Sequence, residues 1–195
     1  GETFETMNIC LKRFACHITA HTPVQAVLDL KDEYGFDGDD VDSVTVWGSP
    51  KMVTHHDITE PADIQLGQYS TPFCVAVAMY RDPLDPRSFM EDSLNDEAIR
   101  DLCRRVRIEL RTDAAEDPKP WACAVQVKLK DGRTAETAVE SFPGMPHDPL
   151  GRDELAARFM SLTTDMDPRW RIRVSDALFD LENLEGVADL LRDPN

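Results

Sequence analysis

The chain has 195 residues, of which 42% are hydrophobic and 30% are charged, so it is long enough to bury a hydrophobic core. Its net charge of −16 repels nucleic acid and anionic membrane surfaces, and we expect neither as a partner. No apolar stretch approaches the roughly 18 residues of a membrane span and no signal-peptide pattern is present, so we expect one cytoplasmic domain over residues 1–195.

The segment before residue 50 predicts two strands separated by one helix. Met7 to Phe14 alternates loosely between apolar and polar residues, as a strand does. Pro23 to Tyr34 carries valine and leucine near helical spacing and stops at Gly35, which is typical of a helix. Val41 to Trp47 is β-branched and predicts the second strand.

The middle of the chain predicts two more helices and a third strand. A polar connection that contains His55 and His56 is expected to be solvated. Ile64 to Tyr80 predicts one largely apolar, buried helix. Asn95 to Arg105 predicts a helix that continues into a strand from Val106 to Leu110.

The last third predicts a hairpin and then helices. Asp131-Gly132 separates Trp121 to Leu129 from Thr134 to Val139, and this dipeptide favours a type I′ turn. The acidic stretch Asp113 to Pro120 before it is expected to be an exposed loop. Three C-terminal helices are predicted, over Leu150 to Leu162, Pro168 to Leu181 and Leu184 to Leu191. The fold class is therefore α+β, with a small mixed or antiparallel sheet, a β-hairpin, several packed helices and a helical C-terminus.

Cysteine usage argues against a disulfide framework or a metal cage. The five cysteines form no C-x-x-C pair and leave one over, so we expect them to be reduced. Four are expected to be small buried hydrophobic residues. Cys16 is the exception, because it lies within a cluster of polar site-like residues.

That cluster occupies residues 12–21, where a lysine, a thiol and two imidazoles precede the first predicted helix. Lys12 supplies a fixed positive charge for an anionic substrate, and His17 and His21 are groups that titrate near neutral pH. The two histidines are four residues apart, but no third ligand follows at a suitable spacing, so we expect no metal site. Substrate binding or proton transfer is the functional interpretation, and a structural or helix-capping histidine is the alternative for each.

A second candidate segment is Gln68-Tyr69-Ser70, at the start of the apolar run before Pro72. Hydroxyl groups and backbone N–H groups at a helix start can hold a carboxylate. Ser70 can instead cap the helix ahead of Pro72, and this alternative stays open.

Four segments in order resemble the C-terminal domain of the MmgE/PrpD family, which includes 2-methylcitrate dehydratase, cis-aconitate decarboxylase and iminodisuccinate epimerase. The matching segments are the Lys-Arg-Phe-x-x-His-x-x-x-His run from Lys12, Gln68 to Met79, Asn95 to Ile108, and Phe142-Pro143-Gly144-Met145-Pro146 through Glu154-Leu155-Ala156. Together they cover almost the whole chain. One departure from the family pattern is Ala15, which stands where the family has a proline.

The resemblance implies a cofactor-independent lyase that acts on a small di- or tricarboxylic acid. Such an enzyme removes a proton next to a carboxylate with loss of water or carbon dioxide, with 2-methylcitrate dehydration the first candidate and decarboxylation or epimerisation open. Lys12 matches the family's active-site lysine. The expected catalytic residues are Lys12, His17 and His21, and the expected substrate-binding residues are Lys12, Arg13, Gln68, Tyr69 and Ser70.

The family's large N-terminal helical domain is absent from this sequence. Because the family's active site lies between the two domains, we expect this chain alone to lack half of the site. A helical domain or subunit is therefore an expected partner, and a homodimer is possible because family members are typically dimers. The alternatives are a non-catalytic carboxylate-binding or assembly module that partners a separate helical subunit, and a generic acidic α+β domain.

Overall fold

The structure is a computed structural model that describes residue 2 and residues 4–112, 119–184 and 186–190, with backbone only at 187 and 189. Contacts divide the chain into two compact units, Gly1–Pro149 and Leu150–Asn195. The prediction of one family-like domain over the whole chain stays a prediction. Among the described residues, no helix is long and apolar enough to cross a membrane.

The first unit combines a four-stranded mixed sheet with helices, which confirms the α+β prediction. Its α-helices are α1 (His21–Tyr34), α2 (Pro50–His55), α3 (Ile64–Tyr69), α4 (Thr71–Tyr80), α5 (Glu91–Leu94) and α6 (Glu97–Arg105). Its strands are β1 (Val41–Gly48), β2 (Val106–Leu110), β3 (Cys123–Leu129) and β4 (Thr134–Val139). Short 3-10 helices lie at Glu5–Asn8, Ile18–Ala20, Gly38–Asp40 and Pro86–Phe89.

The sheet has the order β2-β1-β3-β4. β1 runs parallel to β2, with Val44 opposite Val106, and antiparallel to β3. Buried and partly exposed residues alternate along β3, so one face of the sheet packs on helices while the other is more open. The helices α1, α4 and α6 contact the sheet, and α4 also contacts α1 and α6.

The predicted strand from Met7 to Phe14 is wrong. The structure has a 3-10 helix at Glu5–Asn8 followed by an irregular segment. This segment pairs with none of the described strands, and the Leu11 N–H group donates instead to the Gly144 carbonyl at 2.8 Å. Loose alternation therefore did not lead to a strand, because a strand also needs a partner with free backbone groups.

The predicted long helix from Ile64 to Tyr80 is two helices, α3 and α4, which meet at Ser70. Pro72 explains the break, because a proline inside a continuous helix lacks the N–H donor and collides with the preceding turn. Ser70 caps α4 by accepting a hydrogen bond from the Phe73 N–H group at 2.9 Å. The new helix start leaves α4 fully buried from Thr71 to Met79.

The β3–β4 hairpin is confirmed, but its turn is not type I′. Gly132 has a φ of 92°, whereas Asp131 has a negative φ, and type I′ needs positive φ at both central residues. The Gly132 N–H group donates to the Leu129 carbonyl at 3.0 Å, and Leu129 N–H donates to the Arg133 carbonyl. The connection is therefore a three-residue loop with glycine in the last position. Most of the expected acidic loop before the hairpin, residues 113–118, lies outside the described residues.

The second unit contains the helices α7 (Arg152–Leu162) and α8 (Pro168–Leu178), close to two of the predicted C-terminal helices. Phe159 and Trp170 bring the two helices together with ring centroids 6.2 Å apart. Arg171 of α8 also donates to the Met160 carbonyl of α7. The chain continues with 3-10 turns at Leu181–Asn183 and Val187–Leu190, and part of the third predicted helix lies outside the described residues.

Candidate functional site

His17 is the centre of a cluster of aromatic and basic side chains in the first unit. Its main-chain N–H group donates to the Gln68 carbonyl at 2.7 Å, which joins the residue 12–17 segment to α3. Its ring Nδ1 accepts a hydrogen bond from the Thr19 N–H group at 3.3 Å and caps the 3-10 helix at Ile18–Ala20. Because Nδ1 accepts this bond, the ring proton of the neutral form is on Nε2.

Two aromatic rings pack on His17. The ring of His56 stacks on it with centroids 4.3 Å apart and an interplanar angle of 28°. The ring of Tyr69 lies 4.8 Å away, and Tyr69 is 47% exposed, so this side of the cluster faces solvent. Burial, followed by the charges of His56 and Lys12, lowers the pKa of His17 to about 4. His17 is therefore a neutral hydrogen-bond donor at neutral pH.

Lys12 is exposed at the edge of the cluster, and its predicted role in catalysis and substrate binding stays a prediction. No described residue forms a hydrogen bond or an ion pair with its ammonium group. Its charge acts on both His17 and Cys16, which places it electrostatically within the cluster. Lys51 of α2 adds a second positive charge that acts on His17 and on His56.

His21 lies beneath the cluster and is 0% exposed. Its ring packs between Phe14 and Phe142, with centroid distances of 5.2 and 4.8 Å. Its Nε2 accepts from the Phe14 N–H group, and its Nδ1 lies 3.3 Å from the His17 carbonyl, so it supports the backbone of the segment. The predicted catalytic role of His21 stays a prediction, and in this structure its contacts are all with protein groups.

Cys16 is buried beside His21, with its sulfur 3.8 Å from Nδ1 of that ring. A hydrogen bond from the Cys74 thiol is the main cause that lowers the pKa of Cys16 to about 6, with smaller effects of His21 and Lys12 against the opposing effect of burial. Burial raises the pKa of Cys103 and Cys123 to about 12, as for inert core thiols. Cys16 therefore differs from Cys103 and Cys123 in the direction of its pKa change, in line with the expectation that it is the exception among the cysteines.

The other predicted site residues divide between the cluster and the surrounding structure. Gln68 supports the site through its carbonyl, while its side chain donates to the Phe89 carbonyl at 3.3 Å. Arg13 is engaged with the Gln25 side chain of α1 at 2.9 Å. The Ser70 hydroxyl is fully buried, donates to the Ile58 carbonyl and caps α4, so the structure places it in a capping role. The substrate-binding roles of these residues stay predictions.

Gly144 fixes the segment that carries Lys12. Its φ is 109°, and an added Cβ atom would lie 2.2 Å from the Leu11 carbonyl oxygen. Its own carbonyl accepts the hydrogen bond from Leu11 N–H. Only glycine allows this close approach of two backbones, so the Pro143-Gly144 motif is a structural clamp on the site.

A cleft of about 390 Å³ opens near the cluster. It lies where the parallel strands β1 and β2 both end, and its lining includes Thr19, Lys51, Arg111, Lys119 and Trp121. Thr19 links the cleft to the cluster, because its hydroxyl is 2.9 Å from Nδ1 of His17. The cleft lining thus combines apolar side chains such as Trp121 with lysine and arginine side chains, in a chain whose net charge is −16.

The arrangement is suited to holding an anion next to a neutral imidazole. Lys12 and Lys51 supply charge, His17 supplies an N–H donor and Tyr69 supplies a solvent-facing phenol. Within the described residues, no group of three histidine, cysteine or acidic side chains is placed to hold a metal ion.

Sequence reasoning missed His56 and Lys51. The expectation that His56 is solvated is wrong, because this residue is 2% exposed and stacks on His17. The available signal was Ser49-Pro50, which is a helix start: Ser49 caps α2 and Pro50 occupies its first turn. Recognising α2 would have placed His56 at the end of a helix and not in an open loop.

Comparison with known proteins gives two kinds of match. The sequence profile of the MmgE/PrpD C-terminal domain matches residues 14–181. Cis-aconitate decarboxylase of Homo sapiens is 22% identical over 200 residues, covering 98% of this chain and 41% of that protein. Cis-aconitate decarboxylase of Mus musculus is 24% identical over 132 residues, covering 66% of this chain and 27% of that protein. The chain spans less than half the length of these curated relatives.

Proposed function

The chain belongs to the MmgE/PrpD family, and on that premise we propose that it forms one half of a cofactor-independent lyase site for a small di- or tricarboxylate. The observation that supports this most is the grouping of positive charge and N–H donors around His17 in a strongly acidic chain. Lys12 and Lys51 both act on His17, and Lys51 and Thr19 connect this group to the cleft. A general negative field repels polycarboxylates, so a local concentration of positive charge and N–H donors is what such a substrate needs.

The candidate reactions place the same demand on the site. In decarboxylation, the bond between a carboxylate carbon and its neighbour breaks, carbon dioxide leaves, and the remaining electron pair takes up a proton. In dehydration, a base takes the C–H proton next to a carboxylate, and hydroxide leaves with a proton as water. Both develop negative charge on oxygens conjugated with the reacting carbon, which a lysine ammonium group and a neutral imidazole N–H group stabilise.

Each residue then has a defined part. Lys12 pairs with a substrate carboxylate, and the Nε2–H group of His17 donates to an oxygen that gains charge in the reaction. The Tyr69 hydroxyl is a second donor at the solvent side. His17 is a weak base because its pKa is about 4, so we assign proton abstraction to a group of the helical half that completes the site.

Cis-aconitate is the first substrate to test, because both mammalian relatives are named as cis-aconitate decarboxylases. Dehydration of 2-methylcitrate and epimerisation of a related diacid remain candidates of the same family. The partner is a helical domain, either in the same reading frame or as a separate subunit, and a homodimer is compatible with the proposal.

A second candidate is a non-catalytic module that binds a carboxylate or assembles with a separate helical subunit. The observation in its favour is the pKa of His17, which at about 4 makes this ring a weak base that donates to an anion more readily than it removes a proton. It is separated from the lyase by turnover after the chain has been combined with a helical partner. Carboxylate binding without turnover in that complex supports the module.

The proposal is tested by calorimetric titration of the purified chain with cis-aconitate, 2-methylcitrate and citrate, with acetate as a monocarboxylate control. Lys12→Ala removes one charge-assisted contact, so we expect affinity for the tricarboxylates to fall about 10- to 100-fold. The matched control is Lys128→Ala, an exposed lysine of β3 outside the cluster, which we expect to change affinity less than about 2-fold.

Equal losses in the two lysine variants would mean that general charge, and not a site at Lys12, governs binding. Equal affinity for acetate and cis-aconitate would contradict a polycarboxylate site.

A further inference from the structure

His56 is buried beside the proposed site and has an unused hydrogen-bonding group. Its Nδ1 lies 2.9 Å from the Tyr69 carbonyl, and because a carbonyl only accepts, Nδ1 carries the proton. Its Nε2 therefore keeps a lone pair, and none of the described residues donates to it. A buried unpaired acceptor destabilises a fold, and a phenylalanine of similar shape would not have one. A side chain present only for packing has no use for this nitrogen.

The contacts of His56 converge on His17 and its supports. The two imidazoles stack at 4.3 Å, while Tyr69, which packs on both rings, is held through its carbonyl by His56 Nδ1–H. The His56 carbonyl also accepts from the Thr71 N–H group at 2.9 Å, at the start of α4. His56 thus links the ring of His17 to the junction of α3 and α4.

The His17 ring has one orientation in this arrangement. Thr19 N–H occupies its Nδ1, and His56 covers one face, so Nε2–H is the group left to meet a ligand. A second proton, on Nδ1 of His17, would end the hydrogen bond from Thr19 N–H and leave the Thr19 hydroxyl, 2.9 Å away, as the acceptor. It would also place a cation against another imidazole. The further titratable or charged groups around the two rings come from four elements and are Lys12, Lys51, His55, His21 and Tyr69.

We propose that His56 is a positioning residue that holds His17 as a neutral Nε2–H donor for a substrate carboxylate. This inference rests on the proposed function for its substrate, but the state of the His17 ring is measurable without any ligand. His56 acts through ring contact and through the Tyr69 carbonyl, and it does not touch the substrate itself. Burial also lowers the pKa of His56, so both rings stay neutral at neutral pH.

The test is ring-nitrogen NMR of the full chain, which reports the tautomer and titration of each histidine. In the wild type we expect His17 to carry its proton on Nε2 and to titrate near 4. In His56→Ala, water reaches the exposed ring face, so the midpoint should rise toward the ordinary value of 6.5. His56→Phe keeps an aromatic ring against His17 but removes the repulsion between the two imidazoles as they become charged. The phenyl face also attracts a cation, so the titration midpoint of His17 should again rise.

The control is His55→Phe, because His55 is exposed and its ring lies 6.4 Å from that of His56. This variant should leave the His17 midpoint in place. His56→Phe removes the unpaired Nε2 and also the hydrogen bond to the Tyr69 carbonyl, so the two effects on stability oppose each other and the variant should stay folded. Cis-aconitate binding should nevertheless weaken together with the change at His17, which a packing role does not give. His56→Phe also serves if His56→Ala fails to fold.

An unchanged tautomer and midpoint of His17 in folded His56→Phe would overturn the inference, as would a wild-type midpoint near 6.5. If the wild type binds no polycarboxylate, the proposed function fails. The NMR result then still decides whether His56 controls the state of His17.

Discussion

Gly144→Ala tests whether the site depends on one close contact between two backbone segments. Two costs arise at this position. The first is the positive φ of 109°, which an L side chain rarely adopts and which costs about 1–3 kcal/mol. The second is the added Cβ atom, which would lie 2.2 Å from the Leu11 carbonyl oxygen and force the two segments apart. Separation also breaks the Leu11–Gly144 hydrogen bond, worth about 1 kcal/mol.

Gly132→Ala is the matched control, because Gly132 has a similar φ of 92° and no atom within 4 Å of an added Cβ. It carries the backbone cost without the collision. We expect Gly144→Ala to lower the free energy of unfolding by about 1–3 kcal/mol more than Gly132→Ala does. Urea unfolding followed by circular dichroism, compared at equal m-values, measures the difference.

The same variant should affect the site directly. The Leu11 amide is protected by the Gly144 carbonyl, so its hydrogen exchange should accelerate in Gly144→Ala and stay unchanged in Gly132→Ala. Cis-aconitate affinity should fall in the first variant only, since Lys12 follows Leu11. Equal stability loss in the two variants, with Leu11 exchange unchanged, would refute the clamp.

Three further predictions concern helix capping, acid stability and the cleft. Ser70→Ala removes the α4 cap and leaves the partly buried Ile58 carbonyl without its hydrogen bond, so it should lower the free energy of unfolding in urea by about 2–4 kcal/mol. The control Asp63→Ala removes the exposed α3 cap and should lower it by about 1 kcal/mol. Equal losses in the two variants would contradict the buried role of Ser70. The folded-state pKa of His17 lies below its unfolded value, so its contribution to stability is full above pH 6.5 and is lost as pH falls toward 4. Urea unfolding at pH 6.5 and at pH 4.5 measures how much the free energy of unfolding falls between the two. After allowance for solvent screening, this fall should be smaller in His17→Gln than in the wild type by roughly 1–2 kcal/mol. An equal fall in both proteins would mean that His17 is protonated in the folded state at pH 4.5. In calorimetry, Lys51→Ala should weaken the binding of citrate, which has three carboxylates, about 3- to 10-fold. The binding of succinate, which has two, should weaken less. Equal losses for the two acids would mean that no third carboxylate lies near the cleft.

The sequence predicted those strands and turns that are determined by residues close together in the chain. β1, β2 and the β3–β4 hairpin lie where valine-rich segments and Asp131-Gly132 indicate, because side-chain alternation and a turn glycine act within a few residues. The strand from Met7 failed for the complementary reason. Its backbone partner is Gly144, far along the chain, and periodicity carries no information on such a contact.

The site was only partly predictable for the same reason. Lys12 and His17 are close in sequence, so their association could be inferred from the pattern alone. His56 reaches His17 through the packing of α2 against the segment before α1, and Lys51 and Arg111 share a cleft because β1 and β2 are parallel. These contacts follow from the fold, and their sequence signals are limited to the start of α2 at Ser49-Pro50.

A residue-resolved NMR titration of the full chain with cis-aconitate shows directly whether Lys12 and His17 form a carboxylate site. We expect shifts at residues 12–17, at Lys51 and at Tyr69, because these groups form the proposed carboxylate site. A carboxylate site at Lys12 and His17 would be contradicted by shifts confined to α7 and α8. It would also be contradicted by a folded chain that shows no shifts at ligand concentrations on the order of millimolar, where even weak binding is detected.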